Sequence, residues 1–179
     1  KIFDVEDHVS EAVAAFADCD VVIATVGECS YDIGEVTSIA YLRLSPNQEK
    51  LIRSLKEAGK TVVTIVFSGR PLELKPILPY SDALLQAWFL GTQSAAGLTD
   101  ILSGDYNPSG RLSMSFPQTV GQIPVRYNSY RTGRPYYGQD DHFVSKYLDC
   151  PNEPLFSFGY GLSYSTVEYS DFKVLQNDD

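Results

Sequence analysis

Residues 45–69 read SPNQEKLIRSLKEAGKTVVTIVFSG, and the reading of this stretch decides the fold class. Ser45 is a good N-cap, Pro46 suits the first helical position where no N–H is needed, and Gly59 can close the helix in a left-handed turn. Behind it, KTVVTIVFSG is an apolar, β-branched run without polar alternation, the pattern of a strand buried within a sheet. The same alternation extends both ways. Upstream, DHVSEAVAAFAD at 7–18 puts Val9, Ala12, Val13, Phe16 and Ala17 on one helical stripe, and DVVIATV at 20–26 is a second apolar strand ending at Gly27. Downstream, ALLQAWF at 83–89 reads as a third strand that feeds a helix from Ser94 to Leu102, stopped by Gly104. Strands alternating with helices predict an α/β fold, a three-layer sandwich around a mostly parallel sheet covered on both faces.

After Gly104 the pattern changes. DYNPSG is a turn cluster, RLSMSF at 111–116 alternates like a half-exposed strand, and residues 117–155 are rich in Pro, Tyr, Gly and Asn. This predicts a long, ordered, aromatic-rich C-terminal excursion. The last stretch, LFSFGYGLSYSTVEYSDFKVL at 155–175, has the composition of a closing strand.

The 179 residues suffice for one domain, and 44% hydrophobic with 21% charged side chains is a globular balance. No apolar run is long enough to span a membrane, so no membrane partner is expected. A formal charge of -9 opposes binding to a phosphate backbone, so no nucleic-acid partner is expected. Cys19, Cys29 and Cys150 do not make a paired framework, and with only His8 and His142 beside them they predict no metal site. No cofactor is implied. The chain opens at Lys1 without a leader pattern and reads as an excerpt of a longer protein.

In an open α/β sheet, ligands bind beyond the carboxyl ends of the strands. The loop after the first strand, GECSYDIGEVTSIAYLRL at 27–44, is far longer than usual and carries Glu28, Asp32 and Glu35 with no basic residue before Arg43. Three carboxylates would repel a phosphate and suit acid/base work, or else form a solvated acidic loop. AGKT at 58–61 lacks the first glycine of a phosphate loop and runs helix to strand, the wrong order. Phe67-Ser68-Gly69 lacks a nucleophile elbow's flanking glycine, so a serine hydrolase is disfavoured. Trp88 and the tyrosines, Tyr136 among them, could stack on a sugar ring or pack in the core. Arg134 could bond a ligand hydroxyl or pair with an acid. Cys29, beside carboxylates, reads as an inert thiol.

In order along the chain, VGE at 26–28 with Glu35 seven residues on, SPNQEKLI, GKTVVTIVFSGRPLEL, ALLQAWFLGTQSAAGLTDILSGDYNPSGRLSMSFP, VGQIPVRYN, TGRPY and FSFGYGLSYS resemble glycoside hydrolase family 3. This is the β-glucosidase and β-xylosidase family, and the match is to its second, α/β-sandwich domain. The resemblance implies a flavodoxin-like three-layer sandwich over residues 1–165, with 166–179 leading toward a fibronectin type III-like domain. It further implies a retaining exo-acting β-glycosidase whose aspartate nucleophile sits on an N-terminal barrel domain absent from this chain. Glu35 matches the family's acid/base glutamate, which protonates the leaving oxygen and then deprotonates the incoming water. Glu28, the second candidate, also matches a recurrent position but sits nearer the strand end, where it could instead orient the loop or a neighbouring basic group. Many relatives follow the catalytic glutamate with small residues and an arginine, where this chain reads VTSI with Ile39.

Ser38, Trp88, Arg134 and Tyr136 are the substrate-contact candidates under this resemblance. The substrate would be an oligosaccharide or β-glucoside with a terminal non-reducing β-linked glucose or xylose, and the chain alone would hydrolyse nothing. A periplasmic or secreted location is implied by the family. The alternative is a carbohydrate-binding or domain-interface module in which the acidic loop is only structural.

Overall fold

A computed structural model describes residues 8–175. Helix α1 spans Val9–Ala15, strand β1 Val21–Gly27, helix α2 Pro46–Glu57, strand β2 Thr61–Phe67, strand β3 Ala83–Gln86 and helix α3 Ser94–Ser103. The three strands form one parallel sheet in the order β1-β2-β3, with Val21 opposite Thr61 and Val63 opposite Ala83. The α/β class, the parallel sheet and the aromatic-rich C-terminal region are as expected from the sequence.

Helix α2 forms as read. The Ser45 hydroxyl accepts the Gln48 N–H at 3.3 Å, Pro46 occupies the first turn, and Glu49 and Lys56 stand at the ends that suit their charges. Its apolar stripe buries Ile52 and Leu55 against the sheet face made by Val22, Ala24, Val26, Val62 and Val66. Each of those two side chains contributes about 1.5–3 kcal/mol by leaving water. Leu72, Leu74 and Ile77, from the segment after β2, and Phe116 complete the core. Asp82 ties α2 to the sheet, accepting from Lys56 Nζ at 2.6 Å and from the Val62 N–H at 2.8 Å.

Several elements differ from the sequence reading. The first helix stops at Ala15, because Phe16 to Cys19 turn back through bonds to the carbonyls of Val13, Ala14 and Phe16, while Asp7, its expected first residue, lies outside the described residues. β3 ends at Gln86, since Trp88 takes a left-handed φ of 52° that no strand continues through. Helices α1 and α2 lie on one face of the sheet. On the other face Ile65 of β2 is buried at 2% exposure, while Val21 and Ile23 on the edge strand β1 stay 55% and 51% exposed.

Neither RLSMSF nor the final stretch becomes a continuous strand. They meet instead as an antiparallel clasp: Phe116 bridges Phe156, Leu112 N–H donates to the Tyr160 carbonyl at 2.9 Å, and Gly159 N–H returns to Leu112 at 2.7 Å. Side chains supply the rest. Asn107 accepts the Tyr164 N–H at 2.8 Å, Ser163 donates to the Pro108 carbonyl at 2.6 Å, and Ser115 accepts the Phe158 N–H at 3.2 Å. A side chain on Gly161 would meet the Gly110 carbonyl at 2.6 Å, so close approach requires glycine there. The two sequence signatures, DYNPSGRLSMSF and FSFGYGLSY, are the two halves of this clasp.

Candidate active site

The site begins where β1 ends. Gly27 has φ 139°, and a Cβ there would lie 1.8 Å from the Phe67 carbonyl oxygen, so only glycine fits. The Gln48 amide holds this residue twice, accepting from its N–H at 3.2 Å and donating to its carbonyl at 3.0 Å. Helix α2 thereby fixes the point from which the long acidic loop departs. The next residue, Glu28, donates its own N–H to the Phe67 carbonyl at 2.8 Å, which extends the strand register by one bond.

That register sets Glu28 opposite the loop after β2, Ser68-Gly69-Arg70. The Glu28 carboxylate, 6% exposed, accepts the Gly69 N–H at 2.9 Å and forms an ion pair with Arg70 Nη1. The same guanidinium donates to the Asp32 carbonyl at 3.0 Å and through Nη2 to the Thr37 carbonyl at 3.3 Å. Between these anchors run two short turns. Asp32 closes the first on Cys29, whose N–H reaches its carboxylate at 2.9 Å, and Thr37 closes the second on the Gly34 carbonyl at 2.5 Å. Hydrogen bonds from the Cys29 thiol and backbone N–H, with the Arg70 charge nearby, hold the Asp32 carboxyl below the usual carboxylate range.

Glu35 sits between the two anchored carbonyls, exposed, with no hydrogen bond or ion pair to any of the described residues. Val36, beside it, is fully exposed with φ 60°, a left-handed conformation that is costly for a β-branched residue and tends to persist where surrounding contacts impose it. The loop ends of all three strands converge here. A Cβ on Gly69 would touch the Phe89 ring at 3.1 Å and Ile33 at 3.8 Å. A cavity of about 650 Å³ opens on the inner side of the loop, lined in part by Glu28, Cys29, Asp32, Ile39, Tyr41 and Gln48.

The other sequence-derived candidates are spread more widely. Ser38 is exposed on the same loop. Trp88 is half-buried with its ring 5.8 Å from Phe116 at an inclined angle, so part of its surface belongs to the core. Arg134 and Tyr136 lie on the C-terminal excursion: the Arg134 guanidinium is exposed, its carbonyl accepts from Ser145 N–H at 2.8 Å, and Lys146 stands 5.5 Å over the Tyr136 ring. Among the described residues no hydrogen bond or ion pair joins these two to the acidic loop. The link is indirect: Glu73, after β2, donates its N–H to the Leu42 carbonyl at 2.6 Å and accepts from Thr119 at 3.1 Å and from the Val120 N–H.

Arg70 is the residue that the sequence reading did not single out. A basic side chain at the carboxyl end of the neighbouring parallel strand, two residues beyond a glutamate's register partner, was the available signal.

The chain matches the family model described as the glycosyl hydrolase family 3 C-terminal domain over residues 4–164. It is 45% identical over 164 residues to the periplasmic beta-glucosidase of Salmonella typhimurium, covering 91% of this chain and 21% of that protein. With a beta-xylosidase of Formosa agariphila it shares 34% over 164 residues, 92% of this chain and 22% of the relative. The crystal structure of a beta-glucosidase from Listeria innocua superposes with a TM-score of 0.86 at 49% identity, over 90% of this chain and 23% of that one. A mutant of that protein has also been solved in complex with laminaribiose. The chain spans about a fifth of the length of the curated relatives it matches.

Proposed function

The chain belongs to the C-terminal domain family of glycoside hydrolase family 3, and from that premise we propose that it supplies the acid/base carboxylate of a retaining exo-acting β-glycosidase, with Glu35 in that role. The nucleophile, an aspartate, comes from a preceding barrel domain of the same polypeptide. The substrate is an oligosaccharide or β-glucoside whose terminal non-reducing glucose or xylose is released. The enzyme works in the periplasm or outside the cell, a reading supported by its likeness to the periplasmic beta-glucosidase of Salmonella typhimurium.

One observation carries the assignment. Of the acidic side chains on the loop after β1, Glu28 and Asp32 are engaged with Arg70 and Cys29, whereas Glu35 is exposed and unengaged among the described residues, at the carboxyl edge of the parallel sheet. A group that must meet a glycosidic oxygen on another domain needs that freedom. In a retaining mechanism it protonates the leaving oxygen as the nucleophile attacks, then takes a proton from the water that cleaves the glycosyl-enzyme. The two carboxyl groups must stand about 5–5.5 Å apart, which requires the loop to be held against the barrel.

Glu35→Gln in the full-length enzyme tests this, assayed on aryl β-glucosides graded by the acidity of the phenol. The kcat/KM for poor leaving groups should fall on the order of 10²–10⁴-fold and be nearly spared for the most acidic phenol, which departs without a proton. Unchanged kinetics across the series would leave the loop with a structural role only.

A further inference from the structure

We infer that Arg70 is the positioning residue for the acid/base glutamate: one guanidinium neutralises Glu28 and clamps the backbone on both sides of Glu35. The inference rests on the reading of Glu35 given above. Its support is geometric. Nη1 reaches the Glu28 carboxylate and the Asp32 carbonyl, and Nη2 reaches the Thr37 carbonyl, so the three bonds hold the strand end, the entry to the loop tip and its exit. Glu35 lies three residues beyond the first clamped carbonyl and two before the second.

The planar fork of arginine makes this possible. Its donors leave in fixed, divergent directions, so a single side chain can serve a carboxylate and two carbonyls at once, which the compact ammonium of lysine cannot do from one position. The Arg70 side chain is 22% exposed and Glu28 only 6%, so the charge pair is poorly screened by water. Glu28 therefore acts on the reaction through Arg70, and the guanidinium fixes the height of the loop tip above the sheet. Neither residue needs to touch substrate. A misplacement of about 1 Å in a reacting group costs roughly 10²-fold in rate, so loss of the clamp should be read in catalysis.

The test uses the full-length enzyme and the same graded aryl β-glucosides. Arg70→Met should lower kcat/KM roughly 10²-fold for poor leaving groups and much less for the most acidic phenol, because what is lost is proton delivery. In a Glu35→Ala background the same change should cause no further dependence on the leaving group. A uniform loss across the series, or additive losses in the double variant, would mark Arg70 as merely structural and overturn the proposal. Should Arg70→Met fail to fold, Arg70→Lys keeps the charge beside Glu28 without spanning both carbonyls. It must then reproduce the leaving-group dependence, and wild-type behaviour of Arg70→Lys would also overturn the proposal. Failure of the underlying reading is distinguishable: Glu35→Ala alone would then keep the wild-type dependence on the phenol, which removes the premise and the proposal with it.

Discussion

Glu28 and Glu35 stand seven positions apart on one loop and meet opposite surroundings. Glu28 is held in an ion pair and bonded to a backbone N–H, so its carboxylate is fixed in place against the strand end and does not move toward a ligand. Glu28→Gln would keep the bond from Gly69 but leave the Arg70 charge without its counter-ion in a mostly buried place. The expected cost is about 3 kcal/mol, read as a lowered denaturation midpoint of the full-length enzyme. Its kinetic loss should not be restored by an external nucleophile, because no proton-transfer group is missing. A variant with wild-type stability would contradict the account of the pair. The two glutamates could not be ranked from the sequence by chemistry, since both are carboxylates on the same loop. What separates them is the guanidinium contributed from residue 70, and a long-range partner of this kind is set by strand register rather than by local spacing.

At the scale of elements, the local signals that were strong in the sequence became structure, and those that depended on tertiary context did not. The N-cap, proline and apolar stripe of α2 and the β-branched runs of β1 and β2 are local and cooperative with the fold. Composition extends the third strand to Phe89, because Ala87, Trp88 and Phe89 are strand-like, whereas the left-handed Trp88, whose ring stands 5.8 Å from Phe116, ends it at Gln86. The C-terminal stretch has strand composition but no continuous strand for a similar reason. Residues 155–165 pair with 107–116 through scattered backbone bonds at Leu112 and Phe116, supplemented by the Asn107, Ser115 and Ser163 side chains and glycine close approach, contacts that carry no periodicity.

The link between α2 and the sheet yields a pH prediction. The hydrogen bond from Lys56, with the one from the Val62 N–H, holds the Asp82 carboxyl below its usual range. A carboxyl depressed in the folded state contributes stability above its unfolded value, about 3.9, and loses it as pH falls through the lower folded value. Asp82→Asn should therefore lower the denaturation midpoint at neutral pH, and the gap from wild type should close in acid below about pH 4. A gap that persists undiminished in acid would assign the effect to packing instead of charge.

At the scale of the molecule, the candidate site lies where ligands of parallel sheets generally bind: it is built from loops at the carboxyl edge, and the strands fix where those loops start. Here Gly27, Gln48 and Phe67 fix the start, Arg70 fixes the middle, and Glu35 is left projecting. Glu35 with its loop anchors faces outward, and on our reading it is the half of an active site whose other half is a barrel carrying the nucleophile. The order of elements and the family resemblance were legible from the residues, because the clasp motifs and the loop glutamates are contiguous strings. The clamp was not, since it depends on which distant segments meet.

The most direct test of the central claim is azide rescue of Glu35→Ala in the full-length enzyme, on an aryl β-glucoside with a good leaving group. Azide needs no general base, so the account predicts faster deglycosylation and a β-glycosyl azide product from Glu35→Ala. Rescue of Glu28→Ala in its place, or full activity of Glu35→Ala without azide, would contradict it.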